Sequence, residues 1–266
     1  MPPQLLKMIR AEIRAVFGRS SGRAALVIAA VLGIIAVFGL YRAADLAQEV
    51  QANGVPAASQ IEFNLRGALG WALQFRNFFV LPLLLTLASA GSLGGELAGN
   101  TFRELLVRPV PRWSVVIAKL GALMTLSAAS LGLTLATSLV AGAAVFGMAE
   151  GLGDAFAGYA ATLLCDLGLI CMTLLVSSFL RSVGGVVVGL ALYLMADRLL
   201  GLGLGLLSSF GKEWAGTVRD YLPGNALSFW SDWDGTFDGG KAAGLVGLIV
   251  VCLVATIVRV HKMDVP

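Results

Sequence analysis

Apolar residues dominate six stretches of the chain, and each stretch is long enough to cross a membrane. A helix needs about 20 largely apolar residues to span the hydrocarbon core of a bilayer. The pattern therefore predicts an all-α membrane protein with six transmembrane helices, which we interpret as a single domain over residues 1–266. The predicted spans are 24–41, 78–95, one crossing within 115–148, 155–180, 183–207 and 242–258.

The N-terminal segment, residues 4–19, has a different pattern from the spans. Its apolar residues recur at helical spacing, and its basic residues lie three and four apart on another face. This pattern is typical of a basic amphipathic helix that lies in the plane of the membrane interface. A short solvated extension of the first span is the alternative. The apolar positions are Leu5, Leu6, Ile9, Ile13, Val16 and Phe17, and the basic positions are Lys7, Arg10 and Arg14.

Composition and charge agree with this membrane architecture. Hydrophobic residues make up 58% of the 266 residues and charged residues 13%, whereas soluble domains have roughly 25% charged residues. Lys and Arg accumulate in the cytoplasmic loops of membrane proteins, and here they concentrate on the side of the N-terminus. We therefore expect both termini to be cytoplasmic. The basic residues on that side are Lys7, Arg10, Arg14, Arg19, Arg23, Arg103, Arg108, Arg112, Lys119, Arg181, Arg259 and Lys262.

Charged residues also occur inside two of the apolar stretches. Asp166 lies near the middle of the fourth span, where an ionised side chain costs about 2.5–3.5 kcal/mol. We expect it to face a cavity or a partner, and Arg198 in the fifth span is a candidate partner. Asp166 and Arg198 are therefore candidates for a substrate path. The alternative for Asp197 and Arg198 is that both face water at the outer interface.

The sequence contains no recognisable catalytic or metal-binding motif. The stretch from Gly205 to Glu213 superficially resembles a phosphate-binding loop, but its glycine spacing is wrong and Glu213 replaces the Ser or Thr that binds magnesium. The three cysteines form no CxxC pair, and His261 is the single histidine. We expect no enzymatic activity, no cofactor on this chain and no nucleic-acid partner.

The inner loop between the second and third spans, residues 96–112, has the pattern of a short amphipathic helix. Asn100 or Thr101 is able to cap the start of such a helix, and Pro109 and Pro111 end it. Its apolar stripe of Phe102, Leu105 and Leu106 runs beside the charged Arg103, Glu104 and Arg108. A helix of this kind on the inner face is suited to bind a soluble partner.

This loop resembles the coupling region of ABC-2-type transporter permeases. The matching residues are Glu96, Gly99 with Thr101, Leu105 and Leu106, Pro109 to Arg112, and Lys119 at the next span, although Asn100 separates the Gly and Thr that are usually adjacent. The C-terminal Arg259, Lys262, Met263 and Asp264 are similar to the basic tail of that family. The most similar group is that of permeases for multicopper-enzyme maturation and for sodium or drug export.

The resemblance implies an exporter permease in the bacterial inner membrane that works with two copies of a separate ABC ATP-binding subunit. Those subunits would bind ATP and Mg, and a second permease copy, most simply a homodimer, would complete the transporter. It also implies that part of 199–222 re-enters the outer leaflet as a helical hairpin broken at its glycines, and it leaves room for a periplasmic or membrane accessory protein. The coupling helix would contact the ATPase through Glu96, Thr101, Phe102, Arg103, Glu104, Leu105, Leu106 and Arg108.

Two other functions are compatible with the same pattern. One is a secondary carrier in which an ion gradient drives transport through Asp166, and the other is a membrane scaffold without transport. Secondary carriers often contain internal repeats, and the sequence has no convincing repeat. The sequence also specifies no substrate, because its seven methionines and single histidine form no copper relay.

Overall fold

The computed structural model describes residues 3–52, 62–78, 80–99, 111–148, 152–180, 182–232 and 239–263. These residues form α-helices and one 3-10 helix, and they contain no β-strand. Six helices are long and apolar enough to cross a membrane, so the predicted all-α fold with six spans is confirmed. The elements are α1 (Pro3–Gly18), α2 (Ser20–Ala52), α3 (Leu65–Phe78), α4 (Val80–Ala98), α5 (Arg112–Phe146), α6 (Gly153–Phe179), α7 (Val183–Ser209), α8 (Glu213–Asp220), α9 (Pro223–Ala226), the 3-10 helix Phe229–Asp232 and α10 (Gly239–His261).

Local chemistry accounts for several helix ends. Pro111 precedes α5 in an extended conformation, which suits a proline at the start of a helix. Ser182 caps α7, because its hydroxyl oxygen accepts a hydrogen bond from the backbone N–H of Gly185 at 3.3 Å. At the other end of α5, Gly147 has a φ of 78°, a conformation that glycine adopts without steric cost.

Helix α1 covers the segment predicted to be amphipathic, and its apolar face packs against protein. Val16 is buried in the main core, and Ile9 lies beside Gly121 of α5. Lys7, Arg10 and other polar residues point away from this contact and are exposed. The helix therefore joins the transmembrane bundle through α5, and its position at a membrane interface stays a prediction.

The six long helices alternate in direction, so their connections lie at two opposite ends of the bundle. At one end, which we call the N-terminal end, the guanidinium of Arg259 in α10 lies 5.0 Å from the ring of Phe179 in α6. At the opposite end, Arg66 of α3 and Asp154 of α6 form an ion pair at 3.0 Å. The start of α5 and the end of α10 also meet at the N-terminal end, where Arg112 bonds to the carbonyl oxygen of His261. Helix α1 packs against the same part of α5.

Many large apolar side chains on the outside of the bundle are exposed. Val27 of α2, Leu206 of α7 and Val251 of α10 expose 63–65% of their surface. In water such a surface is unfavourable, whereas lipid chains cover it without cost. The interior is apolar as well, with its main core formed by α1, α2, α4, α5, α6 and α10. This distribution fits a multi-pass membrane protein.

Two regions differ from the sequence-based expectation. The predicted spans 24–41 and 78–95 leave residues 42–77 as a long outer loop, but α2 continues to Ala52 and α3 occupies Leu65–Phe78. Helix α3 forms because its apolar residues face the bundle, where Leu65, Leu69 and Leu73 are buried. Helix α3 is therefore part of the packed structure.

The hairpin expected within 199–222 also has different geometry. A break is expected at Gly201, Gly203, Gly205 and Gly211. Helix α7 runs unbroken through the first three to Ser209, so the expected break is wrong at these three glycines. The chain reverses at Gly211, which has a φ of 83°, and α8 then folds back along α7. The two helices lie close together, since a methyl group at Gly205 would lie 3.3 Å from Nη1 of Arg219 and one at Gly216 would lie 3.1 Å from the hydroxyl of Ser208.

Candidate functional site

The most deeply buried charges form one ion pair in the middle of the bundle. Nη2 of Arg76 in α3 donates to Oδ2 of Asp166 in α6 at 2.6 Å, and Nη1 approaches Oδ1 at 3.4 Å. The hydroxyl of Ser127 in α5 donates to the same Oδ2 at 2.5 Å. The side chain of Arg76 is fully buried and that of Asp166 is 6% exposed. Three helices therefore meet at one compensated charge pair.

Neighbouring amides and hydroxyls complete this polar network. Arg76 Nη1 donates to Oδ1 of Asn77 at 2.7 Å, and the amide nitrogen of Asn77 donates to the hydroxyl of Thr162 at 3.2 Å. Charges are tolerated at such a depth when they are paired and hydrogen-bonded. The network positions α3, α5 and α6 relative to one another, because removal of either charge leaves the other without compensation.

The partner of Asp166 is thus Arg76 and not Arg198, the candidate from the sequence. The sequence pattern does not identify Arg76 as a site residue, because Arg76 lies in the segment that is predicted to be an outer loop. The available signal is the spacing of Leu69, Leu73 and Arg76, which places the arginine on the buried face of a helix. Nothing in the sequence alone indicates that α3 enters far enough to reach the level of Asp166.

Asp166 and Arg198 do line a common cavity of about 600 Å³ between α4, α6, α7 and the α9 region. Its walls are mostly apolar, with Pro82 and Leu83 from α4 and Met195 from α7. Arg198 is exposed, whereas Asp166 is already neutralised by Arg76. The structure therefore brings both predicted path residues to one cavity but gives them different electrostatic roles.

Asp197 lies beside Arg198 in sequence, but Asp197 is buried whereas Arg198 is exposed. It is 5% exposed, and its Oδ2 accepts a hydrogen bond from the backbone N–H of Gly224 at 2.8 Å. The alternative in which both residues face water is therefore wrong for Asp197. The contact attaches the start of α9 to α7, and α9 forms one end of the cavity through Gly224.

A second group of charges lies at the N-terminal end. The Lys119 ammonium of α5 donates to Oε1 of Glu96 in α4 at 2.7 Å and to Oε1 of Glu12 in α1 at 2.9 Å. Arg19 lies 3.8 Å from the Glu96 carboxylate. The Lys119 side chain is 1% exposed, so these bonds are only weakly screened by solvent. We call Glu12, Arg19, Glu96 and Lys119 the α1–α4–α5 cluster.

The start of α5 is held by a separate contact. Nη1 of Arg112 donates to the backbone carbonyls of His261 at 2.8 Å and Met263 at 2.7 Å. These carbonyls belong to the last residue of α10 and to the segment just after it, where unpaired acceptors need a donor. Glu96 and Arg112, at either end of the predicted coupling segment, are thus both bonded to other helices.

Most of the predicted coupling residues lie outside the described part of the chain. Thr101, Phe102, Arg103, Glu104 and the following Leu105, Leu106 and Arg108 belong to this group, whereas Glu96 is described as above. Their contact with an ATPase therefore stays a prediction.

The described residues contain no group of His, Cys, Asp and Glu that could hold a metal ion. Cys165, Cys171 and Cys252 are buried and form no disulfide bond.

Several hydroxyls of α5 bond to backbone carbonyl oxygens, whereas that of Ser127 bonds to Asp166. Thr134 donates to the carbonyl oxygen of Ala29 in α2 at 3.1 Å and also to that of Ser130. Ser138 and Thr125 donate to carbonyl oxygens of their own helix. In lipid such bonds satisfy hydroxyls between closely packed helices.

A comparison with protein families places these features in context. The family model described as ABC-2 family transporter protein matches residues 19–196, more than half of the chain. The matched region extends from α2 into α7 and includes Arg76, Asp166, Glu96 and Lys119. No curated protein matches the sequence. The chain therefore belongs to the ABC-2 family of transporter proteins, as a multi-pass membrane permease component that is distinct from the ATPase.

Proposed function

We propose that this chain is the permease of an ABC exporter in a bacterial inner membrane, with its termini in the cytoplasm. Two separate ATP-binding subunits bind ATP and Mg, and a second copy of the chain completes the membrane part. ATP-driven closure of the two ATPases moves the permease helices and changes access to the substrate path. The proposal rests on the family match together with the charge asymmetry of the loops.

The single observation that best supports the coupling role concerns the two ends of residues 96–112. Glu96 and Arg112 are each bonded to other helices. On one side, the ammonium of Lys119 joins Glu96 to Glu12 in the α1–α4–α5 cluster. On the other side, Arg112 bonds to the end of α10. A force applied to this segment is therefore transmitted to four helices at once.

The coupling role is tested by replacing Glu104 or Leu105 with alanine. We expect both variants to insert normally but to lose co-purification with the ATPase and transport-linked ATP hydrolysis, because each changes the proposed contact surface. The matched control is Glu213→Ala, an exposed carboxylate in α8 at the opposite end of the bundle. Normal ATPase binding and transport in both Glu104 and Leu105 variants would contradict the coupling assignment.

The cluster itself provides a second test. Lys119→Gln leaves two partly buried carboxylates without their shared cation. We expect α1 to detach from α5 and coupling to fall while the ATPase still binds. Detachment is measured as faster maleimide labelling of a cysteine at Met8, which is half-buried at the α1–α5 contact. Lys212→Gln, a change at an exposed lysine outside the cluster, should leave labelling unchanged. Equal labelling rates in both variants would argue against this mechanical connection.

The ion-coupled carrier has weaker support. A coupling carboxylate has to gain and lose its ion, whereas Asp166 is held by Arg76 and Ser127. Loss of the pH dependence of transport in Asp166→Asn, with the amount of folded protein unchanged, would support the ion-coupled carrier.

A further inference from the structure

The cavity between α4, α6 and α7 is elongated. Its lining includes both Val187 and Leu199 of α7, and these residues are about 18 Å apart along the axis at 1.5 Å per residue. Exposed side chains such as Val188 and Leu192 lie on its wall. The cavity is therefore open towards the outside of the bundle, where lipid covers the helices, and an apolar molecule is able to enter sideways.

Most of the wall is suited to an apolar body. Leu83, Leu169, Leu190 and Met195 contribute side chains from three helices. The polar groups in the middle of the wall are already bonded within the protein, since Asn77 donates to Thr162 and Asp166 accepts from Arg76. These groups attract a ligand only weakly, because their hydrogen bonds are already made.

The cation at one end of the cavity is different. Arg198 lines the cavity and is exposed, and the described residues provide no ion pair for it within 4.0 Å. Asp197, the adjacent carboxylate, is not part of the lining and is held by the N–H of Gly224. Of these two neighbouring charges, only that of Arg198 is accessible to a ligand in the cavity. Ser228 and Trp230 lie near the same end and supply a hydroxyl and an indole.

We propose that this cavity binds a single-chain amphipathic anion, with its apolar chain along α7 and its carboxylate or phosphate head at Arg198. The inference deepens the proposed permease function, because it names the chemical class of the ligand. A guanidinium binds such a head through paired hydrogen bonds, and each buried methylene of the chain adds favourable transfer free energy. The same chemistry is found in a transported amphiphile and in a resident membrane lipid.

The test uses stearate brominated on the carbon atoms next to its carboxylate, because the head binds at the end of the cavity near Trp230 and bromine quenches a tryptophan that it contacts. We expect saturable quenching in the purified full-length protein, and we expect Trp230→Phe to remove it. Arg198→Gln should raise the half-saturating concentration about tenfold, the size expected for loss of a hydrogen bond to a charged group. Arg42→Gln is the matched control, because Arg42 is exposed and lies outside the cavity lining.

A pair of alanines in α7 tests the position of the chain. Ala191→Phe fills the cavity and should abolish saturable quenching, whereas Ala196→Phe changes an exposed alanine outside the lining and should not. Identical quenching curves for wild type, Arg198→Gln and Ala191→Phe would overturn the proposal, as would an absence of saturable quenching in the wild type.

Two further measurements distinguish a transported amphiphile from a resident lipid. They also distinguish failure of this inference from failure of the proposed function. Stimulation of the ATPase complex by stearate indicates a transported amphiphile, whereas an anionic lipid retained through purification without stimulation indicates a resident lipid. Both results support the site. Saturable quenching in a chain that binds no ATPase would overturn the proposed function alone. An intact ATPase complex without saturable quenching would overturn only this inference.

Discussion

At the scale of single residues, the buried pair of Arg76 and Asp166 has the largest energetic consequence. Each charge is compensated mainly by the other at 2.6 Å, and the surroundings have little capacity to stabilise either alone. Asp166 by itself looks like a group on a substrate path, but its partner shows that it also holds three helices together. Its effect on transport therefore has to be separated from its effect on stability.

The first prediction addresses this pair directly. Arg76→Gln should lower the stability of the detergent-purified protein by about 3–5 kcal/mol, because it leaves Asp166 as an uncompensated buried charge. Combining it with Asp166→Asn should recover a large part of that loss. The measurement is thermal unfolding of the single and double variants.

The control is Arg66→Gln, which breaks a partly exposed pair with Asp154 and should cost only about 0–1 kcal/mol. A double variant as unstable as the sum of both single variants would show that the two charges do not compensate each other.

At the scale of helices, the contact between α2 and α5 depends on the absence of a side chain. A methyl group at Gly33 would lie 2.7 Å from the carbonyl oxygen of Thr134 and would also collide with the hydroxyl of Thr137. Gly39, in the same helix, has nothing within 4 Å of the corresponding position. Substituting alanine at Gly33 and at Gly39 therefore distinguishes the effect of close packing from the effect of helix propensity.

The second prediction follows from this comparison. Gly33→Ala should destabilise the protein by about 1–3 kcal/mol through overpacking, whereas Gly39→Ala should be neutral or stabilising by up to about 1 kcal/mol through helix propensity. Thermal unfolding of both variants under identical conditions checks the result. Equal effects of the two substitutions would mean that α2 and α5 do not approach as closely as described.

The third prediction concerns the attachment of α9 to α7. Asp197→Ala removes the acceptor for the N–H of Gly224, and we expect the segment from α8 to the 3-10 helix to open more often. Limited proteolysis of 210–232 in the outward-facing orientation measures this opening. Asp220→Ala, at an exposed carboxylate of the same segment, should leave the cleavage rate near that of the wild type. Unchanged cleavage in Asp197→Ala would show that this hydrogen bond does not hold the segment.

At the scale of the whole molecule, the two ends of the bundle differ in charge and in attachments. The N-terminal end carries α1, the α1–α4–α5 cluster and the contact between Arg112 and the end of α10. The opposite end carries the reversed hairpin of α7 and α8. The inter-helix bonds of α1, α4, α5 and α10 that are described above are therefore concentrated at the N-terminal end.

The fourth prediction tests the orientation of the molecule. A membrane-impermeant maleimide applied to intact cells should label a cysteine at Glu213 at once, but a cysteine at Arg14 only after permeabilisation. Both positions are exposed, and the native cysteines are buried, so background labelling is low. Immediate labelling at Arg14 with protection at Glu213 would reverse the orientation and remove the coupling segment from the cytoplasm.

The sequence by itself determined the class of protein and the number of spans. Hydrophobic length decides this, because a stretch such as 242–258 has few stable environments other than a bilayer. The same reasoning located Asp166 and Arg198 as charges that need an explanation, and both line one cavity.

Only the tertiary structure decided which charges meet. Periodicity shows that Arg76 lies on a buried face, but it contains no information about the depth to which α3 enters or about the helix opposite. The pairing with Asp166, the bonds of Lys119 to Glu12 and Glu96, and the orientation of Asp197 each join residues far apart in the chain. Such contacts depend on how whole helices pack, because short-range spacing specifies one face of a helix and not its neighbour.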